Sequence, residues 1–71
     1  MSPLIPSWSY NPKKLAWKWN PNSQVRCVIF QMMGYFRWMI IKDNVVVESG
    51  TGDEFQQAEF WCKTKVPTYL D

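Results

Sequence analysis

The fold turns on residues 25–50, VRCVIFQMMGYFRWMIIKDNVVVESG. Residues 25–32 are rich in β-branched and aromatic side chains, which suit a pleated, half-buried strand. Met33-Gly34 follows as a tight turn, since glycine accepts positive φ without a steric penalty. Residues 35–42 form a second strand. Asp43-Asn44 is a second two-residue turn, made of residue types that tolerate the left-handed region. Residues 45–49 form a third strand. The expected result is an antiparallel meander.

The stretch just downstream predicts a helix. Thr51, Gly52, Asp53 and Glu54 have capping-box spacing, with Thr51 as the N-cap and Glu54 three residues later. The helix is expected over residues 53–65 and must stop before Pro67. Phe55, Ala58, Cys62 and Val66 recur at helical spacing and make one apolar stripe, with Trp61 on its flank.

Two-residue turns set the register, placing Met32 opposite Tyr35, Phe30 opposite Arg37, Cys27 opposite Ile40, Ile41 opposite Val46 and Met39 opposite Glu48. One face of the sheet then carries Val25, Cys27, Ile29, Phe36, Trp38, Ile40, Val45 and Val47, an apolar surface that matches the helix stripe. The other carries Arg26, Val28, Phe30, Met32, Tyr35, Arg37, Met39, Ile41, Val46 and Glu48. A sheet face turned to water reads mostly polar, and this one does not. Its cover is expected to be the N-terminal segment, a second subunit or a partner.

Upstream, residues 1–24 hold Pro3, Pro6, Pro12 and Pro21 among Leu4, Ile5, Trp8, Tyr10, Leu15, Trp17 and Trp19. Proline interrupts regular structure, while disordered tails are poor in aromatics. The segment therefore reads as an extended Pro/Trp-rich arm lying on another surface. Partial alternation over residues 14–19 leaves room for a short edge strand. The expected fold class is α+β: a three-stranded antiparallel meander and one C-terminal helix packed on one sheet face, with an arm over residues 1–24 and a βββα domain over residues 25–71.

Composition narrows the chemistry. The 71 residues suffice for one small domain. The chain has no histidine, which removes Ser-His and Cys-His nucleophile systems, and its two cysteines cannot complete a tetrahedral zinc site alone. Gly50-Thr51-Gly52 precedes the helix where an anion is favoured, but Asp53 and Glu54 repel one there. No catalytic residue, metal or cofactor is expected. Cys27 and Cys62 read as buried, reduced thiols. The start of the chain shows no basic n-region with an apolar run, and no stretch approaches the ~18 apolar residues of a membrane span, so a cytoplasmic protein without membrane contact is expected.

The functional expectation is a small non-enzymatic protein-binding module. Aromatics are 17% of the chain and include five tryptophans, more area than a core of this size absorbs, and interface cores favour Trp, Tyr, Phe, Met and Arg. The candidate partner-binding residues are Trp17, Trp19, Arg26, Phe30, Met32, Tyr35, Arg37 and Met39. Two alternatives stand beside it. One is nucleic-acid binding, with Lys13, Lys14, Lys18, Arg26 and Arg37 on phosphates and Trp17, Trp19 and Tyr35 stacking on bases, although the net charge is only +2. The other is a homodimer or larger homo-oligomer that buries the second face against its own copy.

Over residues 25–66, the order of three strands and a helix resembles the small DNA-binding domains of plant AP2 factors and phage-type integrase arms. That resemblance is architectural and implies a sheet laid in a DNA groove. In size and aromatic richness the chain is also similar in style to small accessory proteins of bacteriophages, which implies a phage-encoded inhibitor or adaptor acting on a host protein in the host cytoplasm.

Overall fold

The computed structural model describes residues 5–70. The expected strand count is corrected: the described residues form five antiparallel strands in the simple order β1-β2-β3-β4-β5, followed by one C-terminal helix. The class remains α+β. The strands are β1 (Ser9–Asn11), β2 (Ala16–Trp19), β3 (Val25–Gln31), β4 (Phe36–Lys42) and β5 (Val45–Gly52). The helix α1 spans Phe55–Lys65, and a 3-10 turn, Val66–Tyr69, follows with Pro67 as its second residue. The arm is thus not a separate extended layer, because it supplies β1 and β2 to the same sheet. The three-strand order behind the resemblance to the DNA-binding domains is lost with that correction. Pro3, Leu4 and Asp71 lie outside the described residues.

Turn chemistry explains how the arm pairs. Asn11 Oδ1 accepts the N–H of Lys13, and Asn11 C=O accepts that of Lys14 at 3.2 Å. Leu15 then sits at φ 50°, which reverses the chain. Its C=O accepts the N–H of Gln31 at 2.8 Å and starts the β2–β3 ladder. At the opposite end Asn22 Oδ1 takes the N–H groups of Gln24 and Val25, both at 2.8 Å. The proline-containing loops therefore connect strands rather than preventing them.

The two central hairpins follow their local signals. Gly34 has φ +86° and Met32 N–H donates to Tyr35 C=O at 2.8 Å. Asp43 and Asn44 have φ 52° and 66°, as a two-residue hairpin of the primed type needs. Phe30 faces Arg37 and Cys27 faces Ile40. The β4–β5 pairing departs from expectation partway along. Ile41 faces Val46, but Ile40 faces Glu48 and Met39 faces Ser49, so Val47 is an inserted bulge residue. Because side chains alternate, one inserted residue moves everything beyond it to the opposite face.

The start of α1 also departs from expectation. Thr51 and Gly52 remain in β5, paired with Arg37 and Phe36, so the capping box does not form. Glu54 occupies the N-cap in extended geometry without a side-chain cap bond, and Gln57 Oε1 accepts the N–H of Asp53 at 2.7 Å. Ladder hydrogen bonds outweigh the local signal here.

The core lies between α1 and one sheet face. Trp19, Val25, Cys27, Ile29, Trp38 and Ile40 meet Ala58, Cys62 and Val66. Val25, Ile29, Ile40 and Val66 are fully buried, each contributing about 1.5–3 kcal/mol. The arm closes over the same side: the Trp8 ring packs 5.7 Å from Trp19 and 5.8 Å from Phe55, and its Nε1–H donates to Glu59 Oε2 at 2.7 Å.

Candidate functional site

Because the helix and the Trp8 segment occupy one face, the described residues leave the other face of the sheet uncovered. Ladder pairing assigns its side chains in rows. One row is Asn11, Ala16, Phe30, Arg37 and Thr51, and the next is Ser9, Lys18, Val28, Met39 and Ser49. The third is Arg26, Ile41 and Val46. Val28, Phe30, Met39 and Ile41 are half-buried and form the floor of a groove of about 450 Å³. Ser9, Tyr10, Asn11, Lys14, Ala16, Lys18 and Arg26 complete its lining.

The electrostatics of this face follow from the Val47 bulge. Without the bulge Glu48 would lie beside Met39, as the sequence suggests. With it Glu48 turns to the helix side, where its carboxylate accepts the Tyr69 hydroxyl at 3.0 Å and lies 4.0 Å from Lys65 Nζ. Partial burial and the Glu48 carboxylate push the Tyr69 phenol above its ordinary value. No acidic residue lines the groove. The Lys65–Glu48 contact is the one ion pair among the described residues, so Lys14, Lys18, Arg26 and Arg37 have no described carboxylate partner.

Of the residues singled out from sequence, Arg26, Phe30 and Met39 line the groove together. Arg37 is on the same face, opposite Phe30 and exposed. Met32 and Tyr35 close the β3–β4 hairpin at the end of the sheet. Trp17 and Trp19 point the other way. Trp19 is buried in the core, and the Trp17 ring sits 4.7 Å from both Tyr10 and Phe55. Their pairing with Ile29 and Cys27 assigns them to the helix side. Ser9, Asn11 and Ala16 were not foreseen as lining residues. The alternation Ala16-Trp17-Lys18-Trp19 holds the signal, because sending both tryptophans inward sends Ala16 and Lys18 outward.

A second constellation is internal. Cys27 and Cys62 are free thiols with no exposed surface. A hydrogen bond with Cys27, and then burial, push the Cys62 thiol far above its ordinary value. Such a thiol stays protonated and is not poised as a nucleophile. No helix is long and apolar enough to cross a membrane among the described residues. No family model matches this chain, and no curated protein or solved structure matches it either.

Proposed function

We propose that the protein is a binding module that docks a partner protein across the open face of its sheet. One observation carries the reading: a half-buried apolar floor of Val28, Phe30, Met39 and Ile41 lies among cations without a described counter-charge. An apolar patch rimmed by charge is the usual form of a docking surface, and arginine is favoured in one.

Charge argues against a dimer, and the shortage of free ring faces argues against nucleic acid. In a two-fold dimer the same patch meets itself, so Lys18, Arg26 and Arg37 of one copy would face those of the other with no acid between them. Phosphates would satisfy the cations, but single-stranded nucleic acid also needs ring faces to stack on. Within the groove Phe30 offers one, while the Tyr10 ring is engaged by Trp17.

The test compares partner capture from a lysate of the source organism by three folded proteins. The natural chain and Phe60→Ser, altered on the outer helix surface, are expected to retain the same partner, whereas the double variant Phe30→Ser/Met39→Ser loses it. Undiminished capture by the double variant would remove the reading.

A further inference from the structure

We infer that the partner presents an acidic amphipathic helix to this groove, an apolar ridge with carboxylates on both flanks. The inference rests on the docking role of the open face and adds the chemistry of the segment that fills it. Three features carry it.

The first is the layout of charge. In the β3–β4 ladder Arg26 faces Ile41, Val28 faces Met39, and Phe30 faces Arg37. The two arginines therefore sit at diagonal corners of a block whose other four members are apolar. Lys18 stands beside Val28 on β2 and adds a cation to one flank. Only carboxylates or phosphates neutralise such a rim, and a planar guanidinium takes a carboxylate in two parallel hydrogen bonds.

The second is the floor. Val28, Met39 and Ile41 are aliphatic and match leucine-like side chains better than bases. Met39 also adapts its shape readily.

The third is backbone accounting. A segment lying flat on a sheet face finds no ladder partners there, so the N–H and C=O groups it buries against the sheet must be satisfied within the segment. A helix does this. The rows of Arg26 and Arg37 lie four residues apart along the strands, about 13 Å. On a helix with a 1.5 Å rise that is roughly nine residues, so flanking glutamates two to three turns apart meet the two arginines.

The test uses isotopically labelled full-length protein and four defined probes. They are a synthetic 18-residue helical peptide with a leucine ridge and glutamate flanks, the same peptide with lysine flanks, single-stranded oligo(dT), and a short DNA duplex. The glutamate peptide is expected to shift the amide resonances of Lys18, Arg26, Val28 and Met39 while sparing α1. Arg26→Glu/Arg37→Glu is expected to weaken it at least tenfold and to gain affinity for the lysine peptide, and Lys63→Glu, on the helix, is expected to leave binding unchanged. Equal binding of both peptides, tighter binding of either nucleic acid at the same residues, or shifts centred on α1 would overturn the inference. If partner capture needs Phe30 and Met39 but survives Arg26→Glu/Arg37→Glu, the acidic helix is wrong and the docking face stands. If Phe30→Ser/Met39→Ser changes neither capture nor peptide binding, both fall.

Discussion

Gly50→Ala is the most direct test of how β5 meets the core. Gly50 pairs with Trp38, and the indole lies across it. A methyl group at Gly50 would stand 2.7 Å from Trp38 Cζ2, 2.8 Å from Cε2 and 2.9 Å from Nε1. These distances are well inside van der Waals contact, and the obstacle is a large ring buried in the core. Overpacking of this kind costs roughly 1–3 kcal/mol. Alanine narrows the unfolded ensemble, which returns roughly 0.4–1 kcal/mol. The net loss is therefore about 1–2 kcal/mol, and at roughly 4–8 °C per kcal/mol for a domain this small, Tm falls by about 5–15 °C. Thermal melts by circular dichroism measure it, with the exposed Ser49→Ala as a control expected within about 0.5 kcal/mol of the natural chain.

A double-variant cycle isolates the cause. Trp38→Phe shortens the ring and also removes an indole N–H that is buried without a partner. Gly50→Ala is then expected to cost less in the Trp38→Phe background, with a coupling of about 1 kcal/mol. A Gly50→Ala melt within 2 °C of the natural chain (roughly a quarter to half a kcal/mol), or an additive cycle, would refute the packing described for β5.

Two further outcomes follow from the inward turn of the aromatic arm and from the Glu48–Tyr69 contact. Trp17→Ala is expected to lower stability by about 2–4 kcal/mol in denaturant unfolding, because the ring packs on Phe55, Phe36 and Tyr10 rather than on a partner; a fully stable variant would place Trp17 back on the surface. The folded chain raises the Tyr69 phenol above its ordinary value of 10.0, so stability from the neutral hydroxyl is complete below about pH 10.0 and declines as pH rises through the folded-state value. Tyr69→Phe is expected to remove that share of the alkaline loss in unfolding titrations, and identical alkaline limbs would contradict the contact.

Local chemistry was legible along much of the chain. Met33-Gly34 and Asp43-Asn44 set their own backbone angles, and with them the register of Phe30 on Arg37 and of Cys27 on Ile40. The stripe of Ala58, Cys62 and Val66 gave the buried side of the helix. Arg26, Phe30, Arg37 and Met39 were placed together on the outer face because alternation along two strands suffices to place them.

Long-range pairing settled the rest. The prolines of the arm masked β1, and the alternation over residues 14–19 allowed a strand there without its partner, since nothing local states that Trp17 and Trp19 meet Ile29 and Cys27 across the sheet. Once β2 joined β3, the tryptophans had to turn inward while Ala16 and Lys18 lined the groove. The bulge at Val47 has no turn residue to announce it; it arises where β5 fits β4 with Gly50 beneath Trp38 and Glu48 beside Tyr69. That one extra residue takes the acid off the open face and leaves it cationic. A strand's alternation is a local property, whereas the side it presents at any point depends on every residue inserted before it and on the neighbour it pairs with.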